Sequence, residues 1–220
     1  MPPDPDGPST PVASPAIPSG RSARLNASTH IERGWNLISR GEHAEAEEEL
    51  QKALKLVPDD TQAASLLGWA QMLQGKYDDA LHHFHAVLQR EPTHAIARVN
   101  VGYICLKKSI FGEAIEHLTR AIRDSGDRKA TLYANFYLGL LYSSREMYTD
   151  AESFLGRALA LGPNLIEAYF ELGRARWFAG NHDGARQAWR DGAVAGKFSP
   201  WGERCAAMLK DVDGGGVPSR

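Results

Sequence analysis

From Thr61 to His94 the apolar and small residues recur at the spacing of two short amphipathic helices folded back on each other. Taking Thr61 as position 1, Leu67 and Gly68 stand at 7 and 8, Gly75 and Tyr77 at 15 and 17, Ala80 at 20, Phe84 at 24 and Pro92 at 32. Small residues at 8 and 20 let two helices approach closely, and the larger ones wedge between them. Gly75 ends the first helix and Pro92 the second. Each helix is expected to run about a dozen residues, or about 18 Å.

The same register runs through most of the chain. Position-8 glycines fall at Gly34, Gly68, Gly102, Gly139 and Gly173, in steps of 34, 34, 37 and 34. Position 20 is Ala46, Ala80, Ala114, Ala151 and Ala185. Position 24 is always large and apolar: Leu50, Phe84, Leu118, Leu155 and Trp189. Position 27 stays small or modest (Ala53, Val87, Ala121, Ala158, Gly192). Position 32 is Pro58, Pro92, Gly126, Pro163 and Lys197.

This pattern resembles the tetratricopeptide repeat (TPR), a helix–turn–helix unit of about 34 residues. The resemblance covers about residues 27–197 and implies an all-α fold, a right-handed α-solenoid of five repeats (27–60, 61–94, 95–128, 132–165 and 166–197). One hairpin cannot cover its own apolar face, so stacking of neighbours supplies the core. At the third junction SGDRKAT carries three extra residues, with Gly126 in the proline position, which predicts a longer loop and looser packing there. Arg33 takes position 7 in the first repeat, where others have Leu67, Val101, Leu138 or Leu172. An end repeat has no preceding neighbour and tolerates the charge.

After the fifth repeat SPWGERCAAMLKDV opens with a Ser199 N-cap and Pro200 at the first helical position. Trp201, Cys205, Met208, Leu209 and Val212 line one face at helical spacing, which predicts a C-terminal capping helix over 198–212 and a flexible end at 213–220. Residues 1–26 are rich in Pro and Ser and carry few bulky side chains, so a disordered tail is expected. A signal peptide's unbroken apolar segment is missing from that stretch, and no run approaches the roughly 18 apolar residues of a membrane span. Cys105 and Cys205 read as buried reduced thiols. Together these point to the cytoplasm and away from the membrane. A net charge of −2 gives no electrostatic case for nucleic acid.

The resemblance further implies that first helices line a concave face through positions 2, 5, 9, 12 and 13. Position 9 is Trp35, Trp69, Tyr103, Leu140 and Arg174. Position 12 is Ile38, Met72, Leu106, Ser143 and Trp177, and position 5 includes Phe136 and Phe170. A contiguous apolar lining marks an interaction site, and aromatics with a rare arginine are the usual anchors. The alternative is that superhelical curvature seals these rings against neighbouring helices. Family members that hold chaperone C-terminal carboxylates use Lys at 5 and Asn at 9, Asn at 6 of the next repeat, then Lys at 2 and Arg at 6. Those positions here are Ser65, Trp69, Asn100, Tyr133 and Tyr137, so only Asn100 matches and that clamp is absent.

Candidate chemistry is sparse. His82, His83 and His85, with His117 a repeat later, lack a converging third ligand and read as a solvated polar face; no metal site is expected. The five glutamates from Glu42 to Glu49 read as an outward face that keeps the first repeat soluble. No phosphate-cradling loop, nucleophile elbow or supported Cys/His pair is present, so neither catalysis nor a cofactor is expected. The sequence predicts a non-enzymatic adaptor that binds an apolar or aromatic-bearing segment of a protein or peptide partner. The second possibility is a structural subunit or homo-oligomer that buries the same face permanently.

Overall fold

The computed structural model describes residues 20–124 and 126–218. Among these the chain forms eleven helices and no strand. They pair as α1 (Gly20–Arg40) with α2 (His43–Leu56), α3 (Thr61–Leu73) with α4 (Tyr77–Arg90), α5 (Ala95–Lys107) with α6 (Phe111–Asp124), α7 (Arg128–Ser144) with α8 (Tyr148–Leu161), and α9 (Ile166–Phe178) with α10 (His182–Ala195). The last helix, α11 (Pro200–Asp213), closes the stack. The array is therefore the all-α solenoid of five hairpins and a cap.

The hairpins close through the residues that set the register. A Cβ on Gly34 would lie 2.6 Å from Leu50 Cγ, and on Gly102 the same distance from Leu118 Cγ. On Gly139 it would lie 2.5 Å from Leu155 Cγ, and on Gly173 it would lie 2.2 Å from Trp189 Nε1. Each large residue at position 24 thus presses onto bare backbone of the partner helix, and all five are fully buried. Close packing of this kind gives the array its density. The turn inside each hairpin needs one left-handed residue: Gly41, Gly75 and Gly180 supply it, but Ser109 (φ 59°) and Glu146 (φ 58°) fill the same place in the third and fourth hairpins.

Helix starts follow their capping chemistry. Asp60 accepts a hydrogen bond from the Ala63 amide at 2.8 Å, His94 Nδ1 from Ala97 at 3.1 Å, and Ser199 Oγ from Gly202 at 3.1 Å. In α11, Cys205 and Val212 are buried while Trp201, Met208 and Leu209 are half-buried, the face expected of a cap. Both cysteines are free and buried.

Five expectations about the elements are corrected. The three extra residues at the third junction do not lengthen the loop: only residues 125–127 separate α6 from α7, against four residues in the other inter-repeat links, and α7 runs 17 residues where α3, α5 and α9 have 13. Asp127 caps this extra turn by accepting from the Lys129 and Ala130 amides, and Arg128 donates to the Leu161 carbonyl at the end of α8. Nor is the junction loose, because Ala130 and Ala134 are buried against Val99, Leu118 and Ala121. At the N-terminus, residues 20–26 are helical rather than part of a tail. GRSARLN has no proline and includes the helix formers Arg21, Ala23, Arg24 and Leu25, and Ala27 behind it packs with Ile31, Ala53 and Ala63. Residues 1–19 lie outside the described part.

The glutamates of α2 are not simply a solvated face. Glu47 reaches the next hairpin, accepting from Gln71 (3.1 Å), Gln74 (2.8 Å) and Lys76 (2.8 Å). Burial works against its ionised form, yet these bonds outweigh it and hold the carboxyl below its ordinary range. Glu49 holds His30 at 2.8 Å. Lastly, the end after α11 is capped rather than free over Gly214–Gly216: the Gly216 amide donates to the Asp211 carbonyl at 2.9 Å, with Gly215 at φ 91°.

Candidate functional site

Stacking side by side puts α1, α3, α5, α7 and α9 on one wall. Residues on this wall share rows: Trp35, Trp69, Tyr103, Leu140 and Arg174 in one, with Leu66, Asn100, Tyr137 and Glu171 in the next. The Trp35 and Trp69 rings lie 5.7 Å apart, tilted by 43°. Further along, Tyr103 and Tyr137 stand 4.8 Å apart, and Tyr133 stacks beside Tyr137 at 6.2 Å. Offset and tilted arrangements are those aromatic pairs prefer.

Between these two groups opens a cavity of about 320 Å³. Trp35 of α1 and Leu66, Trp69 and Met72 of α3 form one side. Ile96 and Val99 of α5 form the floor, with Lys129, Tyr133 and Tyr137 of α7 opposite; Ser65 and Asn100 add polar atoms. Trp35 is 46% exposed, so its ring is neither core nor free rotor. Burial, then the neighbouring Tyr103, Tyr133 and Glu167, pushes the Tyr137 hydroxyl strongly upward, so it stays a neutral donor.

A second cavity, of about 350 Å³, lies between α7 and α9, lined by Leu140, Ser143, Tyr148, Glu171, Arg174 and Phe178 among others. It is more polar. Arg174 Nη1 donates to Glu171 at 3.0 Å. Burial raises the Glu171 carboxyl, with Arg174 opposing. Glu167, one turn earlier, is raised by burial and by Glu171, against the pull of Arg204.

The expected lining residues divide accordingly. Trp35, Trp69, Met72 and Asn100 meet in the first cavity, with Tyr103 packed against its Tyr137 wall. Leu140 and Arg174 line the second. Ile38 and Phe136 are corrected to core, at 5% and 3% exposure, because position 12 of the first repeat and position 5 of the fourth face the neighbouring helices. Phe170 and Trp177 belong to the C-terminal closure: Phe170 packs on Trp201 at 5.6 Å, and Trp177 stacks on His182 at 4.3 Å with Trp189 behind it at 5.9 Å. Leu66, Ile96, Tyr133, Tyr137 and Lys129 also line the cavity and were not among the expected binding residues; Tyr133 and Tyr137 entered only as mismatches to the carboxylate clamp. The first four occupy positions 6, 2, 2 and 6 and were readable as an apolar row; Lys129 was hidden by assigning the insertion to a loop.

His85 and His117 ring centroids are 6.4 Å apart, and no group of three or more His, Cys, Asp or Glu could hold an ion among the described residues. His83 and His117 are nevertheless half-buried rather than solvated, which corrects the outward reading. No helix among the described residues is long and apolar enough to cross a membrane.

Comparison with known proteins agrees with this geometry. The tetratricopeptide repeat profile matches residues 37–98, 71–129 and 166–191, and the chain belongs to that family. A stretch of 65 residues is 40% identical to the TPR repeat-containing protein PA4667 of Pseudomonas aeruginosa, covering 29% of this chain and 11% of that one. The chain thus spans about a tenth of that relative's length. Among solved structures, PilF of Pseudomonas aeruginosa superposes with a TM-score of 0.72 at 20% identity over 87% of each chain. YrrB, described as a TPR protein with an unusual peptide-binding site, gives 0.58 at 18% identity over 87% of this chain and all of that one. At such identities the likeness concerns the fold.

Proposed function

We propose that this protein is a non-enzymatic adaptor that holds an apolar or aromatic-bearing segment of a partner polypeptide along its inner wall. The observation that carries the reading is the cavity between Trp35–Trp69 and Tyr133–Tyr137. It is open to solvent, walled by rings and branched side chains, and provided with a few polar atoms, the composition of a recognition groove. Large, stiff aromatic side chains give contact area at little entropic cost. YrrB's described peptide site on the same fold is consistent with such a use.

The test is capture from the native host with the full chain and with Trp35→Ala as baits, followed by mass spectrometry. Proteins retained by the first and lost by the second, at unchanged helicity and melting temperature, support the reading. Equal recovery by both baits refutes it, as does a large fall in melting temperature, which would make Trp35 a core residue. A permanent self-association through the same wall is the second reading; the extent of apolar lining favours it. Light scattering separates the two, since a concentration-independent dimer belongs only to the latter.

A further inference from the structure

Among the described residues that line the apolar cavity one is a cation, Lys129, and it is there because of the irregular repeat. The three residues inserted before the fourth hairpin are spent on an extra first turn of α7, and Lys129 sits on it. Its side chain is exposed and makes no hydrogen bond or ion pair among the described residues. Its neighbours are otherwise committed: Asp127 caps the helix, and Arg128 donates to the Leu161 carbonyl. Asn100, across the cavity floor, likewise has no side-chain partner among the described residues. The Tyr133 ring stands one turn beyond Lys129 on the same helix. A carboxylate on this wall, Glu167, is not part of the cavity lining.

We infer that the partner segment carries an acidic side chain next to its apolar anchor, the anchor seated between Trp35 and Trp69 and the carboxylate held by the Lys129 ammonium and the Asn100 amide. The inference rests on the groove reading above and gives it a sign. Charge complementarity is the argument: an ammonium at the mouth of an apolar slot loses little by keeping water until a carboxylate arrives, and then gains a charge-assisted hydrogen bond. A basic side chain in the same place would meet like charge.

The experiment uses the full chain and labelled synthetic peptides with acetylated and amidated ends, read by fluorescence anisotropy. All share one leucine–tryptophan amphipathic core and bear Glu, Gln or Lys at the same flanking positions; a fourth has Gln flanks and a free C-terminal carboxylate. The Glu peptide is expected to bind about fivefold more tightly than the Gln peptide at low salt. That advantage, taken as the ratio of Glu-peptide to Gln-peptide affinity in the same protein, should vanish at about 0.5 M salt and in Lys129→Met, which keeps most of the stem. Lys129→Glu should transfer the preference to the Lys peptide. Equal binding of the Glu and Gln peptides, or a Glu preference that survives Lys129→Met, overturns the inference and leaves the groove reading intact. Preference for the free carboxylate alone assigns the site to a chain end and also overturns it. Failure of every peptide to bind defeats the groove reading itself.

Discussion

Gly173→Ala removes the space on which the largest buried side chain of the array depends. A methyl there would fall 2.2 Å from Nε1 and 2.5 Å from Cε2 of Trp189, a fully buried ring whose Nε1 donates to the Phe170 carbonyl at 3.1 Å. The clash exceeds 1 Å and meets a rigid indole wedged between Trp177 and Cys205. Alanine gains about 1 kcal/mol over glycine in a helix interior. Against that, overpacking costs about 1–3 kcal/mol, and a buried indole N–H pushed off its acceptor costs about 1–3 kcal/mol more. The net loss is about 1–5 kcal/mol. The same change at Gly68 places the methyl 3.1 Å from the Phe84 ring edge, so a shift of a few tenths of an ångström relieves it. Its net effect is therefore expected within about 1 kcal/mol of zero. Urea unfolding of both variants, followed by circular dichroism and tryptophan fluorescence, gives the comparison. A Gly173→Ala protein as stable as the parent, or a Gly68→Ala protein that loses more than it, would refute the wedge account.

Two further outcomes follow from the turns and the histidines. Ser109→Gly relieves a left-handed serine with no side-chain bond among the described residues, and should raise stability by about 0.5–1 kcal/mol, read as a higher urea midpoint at unchanged slope. His83 is held below its ordinary pKa of 6.5 by burial and by His82, against Asp79 and Glu47; His117 by burial, Arg98 and His85, against Glu116 and Glu113. Their folded pKa values are depressed, so the stability they contribute is complete above 6.5 and is lost as pH falls through the folded values. The parent's melting temperature should drop more between pH 7 and 5 than that of the double variant His83→Gln, His117→Gln; equal slopes would contradict this.

Much of the architecture was readable because its determinants are local and repeated. Gly34 to Gly173 and Leu50 to Trp189 are paired contacts within one hairpin, sixteen residues apart in sequence each time, and a linear pattern shows such pairs directly. What was misread depends on contacts between hairpins. Whether SGDRKAT becomes loop or helix turns on Ala130 finding Val99 and Leu118 to pack against, which the local pattern leaves open. Whether Ile38 lines a groove or fills a core is decided by where the next hairpin sets Leu67 and Ala70. The site inherits this difference. Trp35 and Trp69 follow from the repeat register, while Lys129 follows from its interruption. A repeat family reuses one scaffold, so the residues that give a member its own ligand are to be sought where the period fails, and in this chain the failure at 34 + 3 residues delivers the cavity's one cation among the described residues.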